Sequence, residues 1–468
     1  MAAILIDGVH ALSRGTTGIG SYTNALASTL RTMNFEVDIL CGAPIKSLAG
    51  DPPTAISSQV FGQSPSEPPK RVPKLKRLLK KFSSKQEEHR ADPLAEISTL
   101  GLDLSAMEGQ FPEFDRLWNC HDLYRSADSF MGKRQQFLEV DVPESISAAH
   151  WTFPLPVAAR GVPNVCTIHD VIPLQFPYFV AGDKGRMARL LTIATQRNDQ
   201  IITVSEASKR HIVEILRVPE ERVSVTYQVA PPTQRLPQEE AERIVSDVYG
   251  VKPGGYALFV GAIEPKKNLK RLIEAFLLSN TGMPLLIGGP LGWFYEDDVA
   301  LMDRVKSNAK RDQSTINRLG YLPRRHLVAL LQCAKVFLFP SIYEGFGLPV
   351  LEALQLGTPA LTSRTSSLPE VAGDAAVLVD PLDTTAMAAE ISKLCNDDDL
   401  RAELSRRGPI QAQNFTLERY QQRLGDAYRR AGIVLPNDSV LSGDSQSLAE
   451  GTPGQDYSKY QVNQLATA

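Results

Sequence analysis

Apolar and polar positions along this chain fall into two alternating textures. Short β-branched or apolar runs at 3–6, 37–40, 164–168, 200–204 and 223–226 read as strands. Between the first two, Ile19, Tyr22, Leu26, Leu30 and Met33 recur at helical spacing and predict a helix over 19–33 with one apolar face. The second half repeats the grammar. Strands expected at 256–260, 284–287, 335–339 and 359–362 alternate with helices at 269–278, 326–333, 349–356 and 384–395. In the first of these helices Leu269, Leu272, Ile273 and Phe276 share the inward face. Such alternation predicts parallel α/β layers. A polar Pro/Glu/Gln stretch at 231–242 divides the halves, so the pattern predicts two doubly wound domains facing each other across a cleft. Ligands of such sheets sit beyond the C-terminal strand ends, where both halves can touch them.

Two segments break the pattern. Residues 44–92 are rich in Pro, Ser and Lys and read as an insertion in the first half. Residues 434–468 are rich in Ser, Gly, Gln and Asp and are expected to form a disordered tail. Inside the insertion, 70–85 carries eight basic residues and no acidic one, with Val72, Leu75, Leu78, Leu79 and Phe82 at helical spacing. That pattern suits an anionic membrane surface, and equally a solvated basic loop or a helix packed on its own domain.

Composition narrows the classes. With 468 residues, 43% apolar and 22% charged, the chain fits a soluble globular protein of two or three domains. Fifty basic against 53 acidic side chains, a net charge of -3, argue against whole-chain nucleic-acid binding. The five cysteines, Cys41, Cys120, Cys166, Cys333 and Cys395, are odd in number and form no CxxC. They exclude a disulfide framework and a cysteine zinc site, and favour a reducing cytosol. No targeting or membrane-spanning segment is expected from the sequence, which points to a cytoplasmic protein, possible contact with the inner membrane face aside.

The chemistry concentrates in four segments. In 335–380 a strand runs into PSIYEGFGLPVLEALQLGTP, where Glu344 precedes Gly345 and Gly347, Pro349 opens a helix and Glu352 lies in its first turns. Glycines admit a ligand close to the backbone, and a helix start favours phosphate. One carboxylate before and one after this anion site could hold two polyhydroxyl portions of one phosphorylated ligand. In FVGAIEPKKN, Lys266 and Lys267 stand before a second helix start that Asn268 can cap. In TIHDVIPL a strand presents His169 at its end. After the first strand, Gly15–Gly20 is a glycine loop opening a helix, but it matches neither the dinucleotide fingerprint nor a Walker motif. Ser205 reads as a helix cap, and Ser367 with Glu370 has capping-box spacing.

Together with IITVSEASK and LGYL, these strings resemble the retaining family-4 glycosyltransferases, the glycosyl transferases group 1. The resemblance implies the GT-B fold, two Rossmann-like domains. It places the acceptor-side domain at 1–230, the donor domain at 231–414, a helix at 415–433 returning to the first domain, and a tail at 434–468. It implies a nucleotide-diphospho-sugar donor, with no cofactor and no metal. Glu344 is expected at the sugar hydroxyls and Glu352 at the ribose. The backbone of Gly345, Phe346, Gly347 and Leu348 is expected along sugar and phosphate, Lys267 and Lys266 at the diphosphate, and Tyr321 in the loop that meets the base. His169 is expected near the transferred sugar and Gly18 near the phosphates. Ala262 and Thr17 depart from the Arg and Gly of many members. The resemblance to bacterial mannosyltransferases implies GDP-mannose as donor, and a glycan or lipid-linked glycan as acceptor. The alternatives are a non-catalytic sugar-nucleotide-binding paralogue or another GT-B chemistry such as epimerisation.

Overall fold

The computed structural model describes residues 2–10, 18–43, 91–97, 112–180, 182–228, 233–308, 315–436 and 438. The basic segment 70–85, Thr17 and most of the expected tail lie outside the described residues.

The first half of the chain builds strands β1 (Ala3–Asp7), β2 (Glu36–Cys41), β3 (Ala95–Ile97), β4 (Arg116–Asn119), β5 (Leu138–Asp141), β6 (Ile146–Trp151), β7 (Val157–Arg160), β8 (Asn164–Thr167), β9 (Gln200–Thr203) and β10 (Val223–Val225). Eight of them form one sheet in the order β10-β9-β8-β6-β1-β2-β4-β3, while β5 pairs with β7 apart. All neighbours in the large sheet run parallel except the edge pair β3 and β4. Parallel strands need cover on both faces. Side chains alternate along β1 accordingly: Ile4 and Ile6 enter one core with Tyr22 and Leu26, and Leu5 enters the other with Trp151 and Ile201.

The first of those cores is closed by a distant part of the chain. The helix Leu417–Arg430 buries Tyr420, Leu424, Ala427 and Tyr428 against Ile4, Ile6 and Leu26. The spacing of these residues is that of one helical face. Ordered chain continues past the position where the tail was expected to begin. Leu435 is buried in the same core and Asp438 pairs with Arg429 at 2.9 Å, so apolar and ionic contacts hold this stretch to the fold.

The second sheet contains β11 (Ala257–Val260), β12 (Leu285–Gly288), β13 (Ile316–Gly320), β14 (Val336–Phe339), β15 (Ala360–Ser363) and β16 (Ala376–Val379). All its neighbours are parallel, in the order β13-β12-β11-β14-β15-β16. From β11 the chain winds outward through β12 and β13, then returns to β11's other side at β14. The strand order therefore reverses between β11 and β14, and the crevice for a ligand opens beyond their C-terminal ends. The loops leaving those two strands are the ones that carry Lys266, Lys267 and Glu344. In the first sheet the corresponding reversal lies between β1 and β6.

Candidate active site

Lys267 ends a short 3-10 turn, Pro265–Lys267, that follows β11. Its ammonium lies 2.6 Å from Glu344 Oε1 and 4.9 Å from the centre of the Phe339 ring on β14. Lys266 reaches Glu344 Oε2 at 3.9 Å and Glu264 Oε1 at 3.4 Å. Burial alone raises the Glu344 carboxyl, but Lys267 and then Lys266 overcome it, so the group is held below its ordinary value and is ionised. Burial likewise opposes the charge on Lys266, and Glu344, Glu264 and Asp170 more than restore it. Two cations and two carboxylates thus share one buried cluster at the strand-order reversal.

Asn268 departs from its expected role. It occupies the position before the helix Leu269–Leu278, but its side chain makes no cap bond. The backbone is left-handed there (φ 60°), and the amide instead donates to Pro340 O at 3.1 Å and Pro381 O at 2.6 Å. Asn268 therefore ties the Lys267 turn to the loop after β14.

That loop is shaped by glycines and serines. Gly347 has φ 118°, a conformation that side chains resist, and a Cβ there would stand 2.8 Å from Leu368 Cδ2. Ser367 Oγ donates to the Glu344 carbonyl at 3.0 Å or the Phe346 carbonyl at 2.6 Å, rather than capping its own helix Leu368–Ala372. The Glu344 N–H donates to Ser366 Oγ, and those of Val350 and Leu351 to Gly347 O. The amides of Gly345, Phe346, Gly347 and Leu348 lie between these points, at the start of the helix Leu348–Gln355. The Phe346 side chain turns away and packs on Phe415, leaving only its backbone toward the cleft loop.

The first domain meets this loop directly. A Cβ on Gly345 would stand 3.1 Å from His169 O and 3.2 Å from Asp170 Oδ2. Glycine is what allows the two halves to approach here. His169 follows β8 and donates from Nε2 to Thr152 O at 3.0 Å, with its ring edge-on to Tyr22 at 4.8 Å. Burial lowers its pKa, so the ring is neutral and, with Nε2 protonated, Nδ1 is an acceptor. One helix, Glu206–Leu216, makes three further ties. Ser205 caps it, accepting from the Ser208 N–H at 3.0 Å. Glu370, from the second domain, accepts from the N–H groups of Glu206 and Ala207 at 2.8 and 2.7 Å. His211 Nδ1 lies 2.7 Å from the Tyr343 hydroxyl, and Ser208 Oγ donates to Gly345 O at 3.4 Å. Glu370 is structural, as its sequence context suggested, but it caps a helix of the other domain rather than its own.

The remaining expected residues sit at the edges. Glu352 pairs with Arg324, whose other nitrogen donates to Thr233 Oγ1 at 3.1 Å. Tyr321, after Gly320 (φ 74°), is 69% exposed. Gly18 begins the helix Gly18–Thr32, with no described atom within 4 Å of an added Cβ. Sequence reading did not single out Arg324, Glu264 or Tyr343. Arg324 had a signal: a basic pair directly after the loop of Tyr321, at a helix start. Among the described residues no group of three or more His, Cys, Asp or Glu could hold a metal ion.

Comparison with known proteins bears on the family and the fold. Residues 248–411 match the family model described as Glycosyl transferases group 1, and 118–234 match Glycosyltransferase Family 4. The chain is 36% identical over 271 residues to O-antigen chain mannosyltransferase B of Escherichia coli, covering 57% of this chain and 70% of that protein. It is 29% identical over 274 residues to the serotype-specific mannosyltransferase WbdA of Escherichia coli, of which it spans 33%. Among solved structures, Anabaena Alr3699/HepE in complex with UDP and glucose superposes with a TM-score of 0.62 at 13% identity, over 92% of this chain and 100% of that one. Sucrose-phosphate synthase from Thermosynechococcus elongatus gives 0.61 at 16% identity, over 92% and 99%. These likenesses show the GT-B fold of two Rossmann-like domains.

Proposed function

This chain belongs to the glycosyl transferases group 1, and we propose that it moves mannose from GDP-mannose to a hydroxyl of a polysaccharide or lipid-linked glycan, with retention of configuration and without a metal ion. The observation that carries the reading is the placement of Glu344, buried between Lys267 and Lys266 where the second domain's loop touches His169 and Asp170. A diphosphate is an anion that can take over the lysines' charge. A sugar attached to it would then lie between Glu344 and His169. The E. coli relatives named as mannosyltransferases support the sugar assignment.

The steps follow from these roles. The diphosphate lies against Lys267, Lys266 and the amides of 345–348, Glu352 holds the ribose, and Tyr321 lies by the base. As the bond from the anomeric carbon to the phosphate oxygen breaks, negative charge grows on that oxygen and the lysines stabilise it. The acceptor oxygen bonds to the anomeric carbon from the same face, and its proton passes to the departing phosphate oxygen. Glu344 positions the sugar and balances the positive charge developing at its anomeric carbon. His169, neutral, accepts a hydrogen bond from a sugar hydroxyl.

The deciding experiment is donor hydrolysis and transfer with a panel of nucleotide sugars, with and without excess EDTA. GDP-mannose is expected to be consumed fastest, equally well in chelator. Preference for another donor would overturn the sugar assignment, and loss in EDTA restored by manganese would overturn the metal-free mechanism. The segment 70–85 would bring the enzyme to an anionic membrane carrying its acceptor. Vesicle binding should be salt-sensitive and vanish when Lys76, Arg77, Lys80 and Lys81 are changed to Glu. Equal binding by this variant would refute that role.

A further inference from the structure

Large aromatic side chains are seldom left in water without a partner, and contiguous ones mark a binding surface. Tyr178 is 62% exposed, Trp293 41% and Phe294 54%. They come from different domains, joined through Phe179: the Trp293 indole N–H donates to Phe179 O at 2.6 Å, and the Tyr178 and Phe179 rings lie 4.5 Å apart. Phe294 is held with φ 56°, a backbone state that bulky side chains avoid, while its ring remains in solvent.

The patch is continuous with the charged cluster. Leu291 bridges Ile263, and the Gly292 N–H donates to Ile263 O at 3.0 Å. A Cβ on Gly292 would stand 3.2 Å from Glu264 Cβ, the residue whose carboxylate pairs with Lys266. From the other side, Phe176 links the Tyr178–Phe179 pair to Tyr343, next to Glu344. The rim therefore reaches the cluster through Gly292 on the second domain and, from the first domain, through Phe176 and Tyr343.

Resting on the glycosyl-transfer reading, we propose that Tyr178, Trp293 and Phe294 form a platform for a neutral glycan acceptor, stacking on its sugar rings behind the hydroxyl that receives the new sugar. Sugar rings present C–H faces that suit aromatic faces, and their hydroxyls stay hydrated at an open rim. Charge selects this occupant over a bilayer. Glu296 and Asp297, exposed immediately beside Phe294 at the start of the helix Glu296–Asn308, repel anionic lipid and leave a neutral sugar unaffected.

The sequence contains three tryptophans. Trp118 and Trp151 are buried, so Trp293 is the one placed to report contact by its emission. The test titrates the full chain, without donor, with mannose and with mannotetraose. Mannotetraose should change the emission saturably, with half-saturation about tenfold below that of mannose. Trp293→Phe should remove the signal, and Tyr178→Ala or Phe294→Ala should weaken binding by about tenfold with the signal retained. Circular dichroism identifies a variant that has failed to fold, and the other two then decide. No emission change with mannotetraose, or equal binding by wild type and folded variants, overturns the proposal. So does an emission shift with phosphatidylglycerol vesicles that Trp293→Phe abolishes, which would make the patch a membrane contact. Because no donor is present, mannotetraose binding without GDP-mannose turnover would refute the functional reading alone. GDP-mannose turnover with no mannotetraose binding would refute this proposal alone.

Discussion

The two sides of the cleft handle buried polarity in opposite ways. On the first-sheet side one buried network is built of neutral groups that bond to one another. Thr167 Oγ1 lies 2.8 Å from the Tyr22 hydroxyl and 2.8 Å from His150 Nε2, and His150 Nδ1 lies 2.8 Å from the Tyr428 hydroxyl. Burial pushes His150 down to about 3, so it carries no charge. On the second-sheet side Lys266, Lys267, Glu264 and Glu344 are charged and packed together. A neutral network fixes shape, because every group is bonded within the protein. A charged cluster can exchange partners, because an incoming anion offers the lysines what Glu344 offers now. The first side thus offers a wall of internally bonded groups, and the second, on the proposed reading, a surface that can take up ligand charge.

The most severe test removes one charge. Lys267→Ala and Glu344→Ala should each lower turnover about 100- to 1000-fold in a folded protein, as loss of transition-state electrostatics does. Near-normal turnover in either would remove the cluster from the mechanism. The tie between the sides comes next. At pH 8, Glu370→Gln should cost about 1–3 kcal/mol in urea unfolding, since an amide cannot accept both N–H bonds from Glu206 and Ala207. An unchanged midpoint would mean the domains do not depend on that clamp.

Acid should act on the neutral side. His150 titrates at about 3 when folded, against 6.5 for the free group. The unfolded chain therefore binds the proton first, so its contribution is complete above 6.5 and falls as pH drops toward 3. Between pH 6.5 and 5 the loss is about 2 kcal/mol, from the pKa difference alone. His150→Gln should flatten this portion of the stability profile, and an unaltered slope would show that His150 is already charged. The mildest change, Tyr428→Phe, should cost about 1 kcal/mol for one lost hydrogen bond while turnover persists. A large loss of turnover would show that the wall takes part in the chemistry.

Much of this was legible in the chain. The strand-helix alternation predicts both parallel sheets, and the strings around Lys267 and Glu344 point to one shared anion site. Strands such as ISAAHW and INRLG were missed, because Ser, Ala, His, Asn and Arg dilute the apolar signal in so few residues. Pair partners were also hidden. Glu370 looked like a local cap because spacing reports only neighbours along the chain, and its actual partners are 164 and 163 residues away. Arg324 is 28 residues from Glu352, and no periodicity connects them.

The helix Leu417–Arg430 imposes an order on synthesis. The first sheet is fully translated once β10 ends at Val225, yet its core lacks Tyr420, Leu424, Ala427 and Tyr428 until the last helix emerges. At the usual pace of translation that delay is roughly 10–40 s. During it Ile4, Ile6, Leu26 and the Thr167–His150 pair face an open side while the second domain is still being made. The nascent first domain therefore has an incomplete core over that interval, and ribosomes arrested between 225 and 417 should hold it in a protease-sensitive state.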